Sequence, residues 1–228
     1  MKKYDIFLFD ADNTLFDYDM AEANALKIMF DYCGFDYDEN IRARYREINT
    51  EEWKKFEQGE ISKENLQTSR FARLFDDIGV WHDPKDFNGK YLHELGKGAF
   101  LIDGAYEICE YIASRGKKIY IVTNGILATQ TSRIKHSLIK DHISDFFVSE
   151  FVGFQKPHIS YFEYVFANIP QVGKDRVIIV GDSLSADIAG GINAGIDACW
   201  FNGHRNGNHT DITPTYEINK LSELREFI

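Results

Sequence analysis

Cysteine is scarce in this chain. Only Cys33, Cys109 and Cys199 occur. They are far apart and odd in number, which argues against a disulfide framework and offers no zinc-ligand spacing. All three read as small buried hydrophobes. Long apolar runs are also missing, and no segment approaches the roughly 20 residues that a bilayer-spanning helix needs. Positive charge is in deficit, with 26 Lys and Arg against 36 Asp and Glu and a formal net charge of -10. That field repels phosphate backbones and argues against non-specific nucleic-acid binding, while a small anion can still enter a locally positive pocket. No repeat, low-complexity tract or long linker is visible. The stretch Met1-Lys2-Lys3-Tyr4-Asp5 runs straight into an apolar segment, so a signal peptide is not expected and a cytoplasmic location is.

What is present is ordinary globular material: 228 residues, 44% hydrophobic and 27% charged, enough for a full core as one domain or a core with an insertion. Apolar runs rich in β-branched and aromatic residues occur at Ile6 to Phe9, Lys118 to Val122, Phe146 to Val148, Val177 to Val180 and Ala198 to Phe201. Each predicts a buried strand. Helical stretches lie between the later ones: Asp103 to Arg115 with an Asp N-cap and Gly116 behind it, Leu127 to Lys140, Ile159 to Ala167, and Ser185 to Asn193. The alternation predicts an α/β fold, a parallel sheet with helices on both faces.

Over a hundred residues separate the first strand from the second, far more than a crossover needs, so an insertion is expected. Its pattern is helical: Ala21 to Tyr32 ending at Gly34, Asn40 to Gln58 ending at Gly59, Ser62 to Asp77 with a Ser cap and Gly79 behind it, and Lys85 to Leu95 after Pro84. The expected division is a catalytic core of residues 1-16 and 99-228 and a helical bundle of residues 17-98, joined by short hinges near Phe16 to Asp19 and Gly96 to Leu101. A cleft between the two parts is expected over the turn that follows the first strand.

The chemistry-bearing residues sit where strands end, which is where open α/β sheets keep their sites. Ile6-Phe7-Leu8-Phe9 delivers Asp10 and Asp12 to such an end. Ionised carboxylates there call for a partner, and a metal ion is the natural one, although an acidic turn after a strand would look the same. Thr123-Asn124-Gly125 closes the second strand with a hydroxyl and backbone N–H groups suited to an oxyanion. Lys156 stands before Pro157 after the third, and Asp182-Ser183-Leu184-Ser185-Ala186-Asp187 follows the fourth. Taken singly these are a turn, a loop cation and a helix N-terminal charge. Taken in order along one sheet edge, they make a site for a divalent metal and a phosphoryl group.

That ordered set resembles the haloacid dehalogenase-like hydrolases, from the first strand to the last. The resemblance implies a Rossmann-like parallel core with an inserted α-helical cap, and Mg²⁺ as cofactor. It implies Asp10 as nucleophile and Asp12 as general acid and base, with Thr123 and Lys156 as further catalytic groups. Thr14, Thr123, Asn124, Gly125 and Lys156 are the implied substrate-binding groups. Asp10, Asp182 and the Asp12 carbonyl are the implied metal ligands, with Asp187 as a supporting carboxylate behind them. An aspartyl-phosphate intermediate follows, and an aspartate at position 12 favours phosphate esters over dehalogenation, phosphonate cleavage or ATP hydrolysis.

The stretch from Asp10 to Phe16, the cap segment Trp53 to Phe71, and Gly190-Gly191-Ile192-Asn193-Ala194-Gly195 followed by Cys199-Trp200 look like the bacterial pyrimidine 5′-nucleotidase subgroup. The expected substrate is therefore a small phosphorylated metabolite, a nucleoside monophosphate, handled by a monomer or weak homodimer without nucleic acid or membrane. A sugar-phosphate phosphatase, a phosphomutase and a non-catalytic binding protein are the alternatives. Trp53, Phe56, Gln58 and Arg70 are candidate base or sugar contacts, and the amphipathic pattern equally allows them as core. His204 and His209 lack a carboxylate partner at metal-binding spacing and read as loop surface.

Overall fold

The chain is described by a computed structural model covering residues 2-228. It divides into two compact units, Met1–Tyr18 with Ala99–Ile228, and Asp19–Gly98.

The first unit is built on six parallel strands in the order β3-β2-β1-β4-β5-β6. They are β1 Ile6–Phe9, β2 Lys118–Thr123, β3 Asp145–Val148, β4 Val177–Gly181, β5 Asp197–Phe201 and β6 Tyr216–Ile218. Alternation along β1 sends Phe7 and Phe9 to one face with Ile119, Ile121, Ile178 and Val180. Ile6 and Leu8 go to the other with Tyr120, Val122, Val177 and Ile179. Both faces are buried, which is why these strands read as continuous apolar runs. β1 is central, with Phe9 level with Ile121 of β2 and Val180 of β4, so the C-terminal ends of the three strands open on one edge.

The expected parallel α/β core is present, with local differences. Helix α5, Ala105–Ser114, starts behind Gly104 at φ 80° and has no side-chain cap, so Asp103 does not cap it. Helix α6, Leu127–His136, stops before the expected Lys140 because Ser137 turns extended, and a 3-10 turn follows. A four-residue helix, α7 Ser149–Val152, precedes α8 Ile159–Ala167. The helix expected from Ser185 to Asn193 is a π-turn, Leu184–Ile188, running into α9 Ala189–Ala194. The sequence pattern also did not reveal β6 and the 3-10 segment Leu221–Phe227.

The second unit is helical. Helix α1 is Tyr18–Cys33, α2 Glu39–Glu57, α3 Lys63–Ile78 and α4 Pro84–Leu95. The last three have side-chain N-caps: Ser62, as expected, accepts from Asn65 N at 3.1 Å, and Asp38 and Asp83 accept from Ile41 N and Lys85 N, both at 2.9 Å. Phe30, Tyr45, Phe71, Phe75, Phe87 and Tyr91 form an aromatic interior. Arg70 belongs to that interior: it is buried, donates to Asn49 Oδ1 at 3.0 Å and Asn88 Oδ1 at 2.8 Å, and is thus internal to the bundle rather than a surface contact. Trp53 and Phe56 are half-buried against each other, and Gln58 is exposed beyond α2. Among the described residues, no helix is long and apolar enough to cross a membrane.

Candidate active site

Asp10 follows β1 directly, and its amide donates to Val180 O at 2.9 Å, which prolongs the β1–β4 ladder by one residue. The chain then folds back. Leu15 and Phe16 amides both donate to Ala11 O, at 3.1 and 2.8 Å, and Asn13 N donates to Phe16 O at 2.7 Å. Asn13 takes a left-handed φ of 57°, which Asn tolerates, and its Oδ1 accepts from Tyr18 N at 3.2 Å. This tight turn splits the two carboxylates: Asp10 faces Lys156, whereas Asp12 faces helix α6.

Lys156 is the hub. Its buried Nζ donates to Asp10 Oδ1 at 2.6 Å, Asp187 Oδ1 at 2.6 Å and Val122 O at 2.7 Å, using all three ammonium protons. Burial lowers the ammonium's affinity for its proton, but Asp10 and Asp187 outweigh it and hold Lys156 above the ordinary lysine range. The main chain of residue 156 is fixed as well. Asn124 Oδ1 accepts from Lys156 N and Asn124 Nδ2 donates to Lys156 O, both at 2.9 Å. Asn124, expected among the phosphate-binding groups, uses its side chain to tie the β2 end to the lysine loop.

Asp187 reaches this cluster because the chain after β4 winds as a π-turn and because residue 181 has no side chain. A Cβ on Gly181 would lie 2.2 Å from Asp187 Cγ. Ser183 N donates to Asp187 Oδ2 at 3.1 Å, so both oxygens of this buried carboxylate are held. One carboxylate oxygen from each of Asp10, Asp182 and Asp187 lies within 4.8 Å of the others. Burial pushes Asp10 up to about 7, against the pull of Lys156. Burial, with the charges of Asp10 and Asp187, also pushes Asp182 well above the usual carboxylate range. Three crowded carboxylates with one ammonium leave uncompensated negative charge, and an all-oxygen donor set with that excess suits a hard divalent cation such as Mg²⁺. The side chain of Asp12 is not in this group.

Thr123 is buried, and its hydroxyl accepts from Gly125 N at 3.1 Å, shaping the turn between β2 and α6. Thr14, expected among the substrate-binding groups, is fully buried and its hydroxyl has no hydrogen-bond partner, so it lies in the wall of the turn, out of reach of a ligand. His204 and His209 are exposed in the loop after β5 and join no cluster of candidate metal ligands among the described residues.

Two further residues act on the site. Gln130 Nε2 donates to Asp12 Oδ2 at 2.6 Å, and the Arg133 guanidinium pairs with Asp12 Oδ1. Both lie on α6, over a hundred residues away in sequence, and both are buried. A signal was available: the inward face of α6 is Thr129, Gln130, Arg133 and Ile134, with polar side chains where the helical period asks for apolar ones.

The haloacid dehalogenase-like hydrolase family model matches residues 7–201. The chain is 41% identical to the HAD-hydrolase YfnB of Bacillus subtilis over 98% of this chain and 95% of that protein. The crystal structure of YfnB bound to magnesium superposes with a TM-score of 0.93 at 40% identity, covering 99% of this chain and 98% of that one. Identity is 36% to the pyrimidine 5′-nucleotidase PynA of Streptococcus pneumoniae, over 97% of this chain and 93% of that protein. It is 31% to the pyrimidine 5′-nucleotidase YjjG of Escherichia coli, over 99% of this chain and 98% of that protein.

Proposed function

This chain belongs to the haloacid dehalogenase-like hydrolases, and we propose that within them it is a Mg²⁺-dependent phosphatase that hydrolyses nucleoside 5′-monophosphates, pyrimidine ones foremost, through an aspartyl-phosphate. The enzyme is a phosphoric monoester hydrolase by its relatives. The observation that carries the mechanism is the Lys156 ammonium held between Asp10 and Asp187, with Asp182 alongside.

Asp10 is the nucleophile. Its carboxylate attacks phosphorus, the ester oxygen leaves with a proton taken from Asp12, and the phosphoryl group stays on Asp10. Asp12, now ionised, takes a proton from the water that releases inorganic phosphate, and regains its starting state. Lys156 offsets negative charge at Asp10 and orients it. The Thr123 to Gly125 turn and the start of α6 supply polar groups to the phosphate. Asp10, Asp182 and the Asp12 carbonyl would hold Mg²⁺, which when bound supplies charge neutralisation at the phosphoryl oxygens. We assign the choice of ester to residues 17-98, with Trp53, Phe56 and Gln58 as candidates.

The test is phosphate release by purified protein with Mg²⁺ from a panel containing UMP, dUMP, dTMP, purine nucleotides and sugar phosphates. Preferred hydrolysis of the pyrimidine nucleotides is expected. Free phosphate only from sugar phosphates, or an isomerised sugar phosphate seen by phosphorus NMR, would replace the nucleotide reading.

A further inference from the structure

Building on the phosphatase reading above, we propose that Gln130 and Arg133 are positioning residues that fix the carboxylate of Asp12 for both of its proton transfers, and that residue 125 is glycine to let Gln130 reach it. The geometry is specific. One helix supplies a donor to each oxygen of the same carboxylate, from positions three residues apart on a single face. Two donors on two oxygens fix the plane of the carboxylate as well as its position.

The asymmetry of exposure argues for function over packing. The Asp12 side chain keeps 29% of its surface accessible, whereas that of Arg133 has none. A carboxylate that reaches water has no need of a buried arginine for solvation, and burying a guanidinium is unfavourable unless it is well paired. Arg133 is also braced by lying over the ring of Phe16, 4.8 Å from its centroid. Phe16 is itself buried and bridged to Leu101. The frame behind Asp12 is therefore rigid, while its accessible side remains open to a reacting group.

Gln130 carries a second mark of selection for this contact. Its Oε1 is buried without a hydrogen-bond partner while Nε2 is spent on Asp12, and the opposite amide orientation would set oxygen against oxygen. A Cβ on Gly125 would lie 2.5 Å from Gln130 Nε2 and 2.8 Å from its Cγ, directly in the path of that side chain. The glycine of the Thr123-Asn124-Gly125 turn thus has a duty toward Asp12 as well as toward phosphate.

Proton transfer demands hydrogen-bond reach, and a displacement of about 1 Å at such a group can cost on the order of 100-fold. The experiment compares wild type with Gln130→Met, Arg133→Met and Arg133→Lys, using UMP in the steady state and p-nitrophenyl phosphate by stopped flow, with Mg²⁺ present. Both Met variants are expected to lose about 10- to 100-fold in kcat on UMP with KM little changed. Arg133→Lys, which keeps the charge, should recover part of the loss. With p-nitrophenyl phosphate the leaving group needs no proton, so attack survives while hydrolysis of the aspartyl-phosphate slows. A burst of p-nitrophenolate approaching one equivalent per site is then expected in the variants. Gln130→Met keeps length and apolar bulk, and it decides the matter should Arg133→Met not fold by circular dichroism. An active wild type with folded variants that match its kcat, or that lose activity on both esters without a burst, overturns the positioning roles alone. A wild type inactive on both esters overturns the phosphatase reading, and these assignments fall with it.

Discussion

Asp10 and Asp12 are two positions apart, yet their environments are opposite: one is buried against a lysine, the other rests half-exposed on a glutamine and an arginine. Asp12→Asn keeps the shape and both acceptor-facing contacts in part but removes the proton, so kcat should fall by roughly two to four orders of magnitude with the fold intact by circular dichroism. Activity near wild type would remove the acid–base role. The Gly125 contact yields a sharper result. Gly125→Ala should reduce kcat by about 10-fold or more in the natural background, because the new methyl displaces Gln130. In a Gln130→Ala background the same change should cost almost nothing, since the obstructed side chain is gone. Additive losses in that double-mutant cycle would count against the steric route. Asp10, Thr123 and Asp182 are visible in the sequence because each stands at or directly after the end of a strand, and Lys156 because it follows the third strand and precedes Pro157. Gln130 and Arg133 are marked only as polar residues on the buried face of α6, and their partner stays hidden because the contacts span 118 and 121 residues. Asn124 and Thr14 were legible as polar residues of the site but not in their orientation, which depends on the Lys156 backbone and on the fold-back after Asp12.

At the scale of elements, the strands with both faces buried were readable from composition, because β1, β2 and β4 have apolar neighbours on each side. The three-residue β6 is too short to show a period, and it gains its place only by pairing with β5. The π-turn is similarly silent: Ser183 O accepts from both Asp187 N and Ile188 N, and what selects that extra residue is the need to bring Asp187 to Lys156. At the opposite end of the sheet, Asp5 ties three strands together. Its carboxylate accepts from Lys117 Nζ at 2.7 Å and from Arg176 Nε and Nη2 at 2.7 and 2.8 Å, just before β1, β2 and β4 begin. These hydrogen bonds, Arg176 first, lower its pKa from 3.8 to about 2. A lowered folded-state value means that the ionised form favours folding; the stabilisation is complete above about pH 4 and is lost as pH falls through about 2. Asp5→Asn should therefore destabilise the protein at pH 7 by no more than about 1 kcal/mol, as expected of a largely solvated network. The deficit should shrink steadily in urea melts between pH 4 and 2. A deficit independent of pH would mean that the asparagine disturbs packing instead.

For the whole molecule, the active edge is a place where stability is given up for chemistry. A chain of net charge -10 gathers Asp10, Asp182 and Asp187 within 4.8 Å of one another, mostly out of water. Asp10 and Asp182 both bind protons more tightly in the folded state than in the unfolded one, burial being the main cause. The sign is opposite to that of Asp5: ionising these groups costs folding free energy, and the cost grows as pH rises from about 4 through the Asp10 value of about 7. Asp182→Asn, which removes one of the crowded charges and keeps the side chain's size, should raise the melting temperature in EDTA, and by more at pH 8 than at pH 5. Mg²⁺ should reverse the order of merit. A ligand that binds only the folded state at a hundred times its dissociation constant stabilises by about 2.7 kcal/mol, worth roughly 2–4 °C per kcal/mol for a chain of this size. The wild type should show that rise and Asp182→Asn should show little of it, with phosphatase activity abolished by EDTA and restored by Mg²⁺ only in the wild type. Calorimetry in EDTA and in Mg²⁺ at the two pH values reads all four cases, and a variant that melts below wild type in EDTA would show that the carboxylates do not oppose one another in the folded protein.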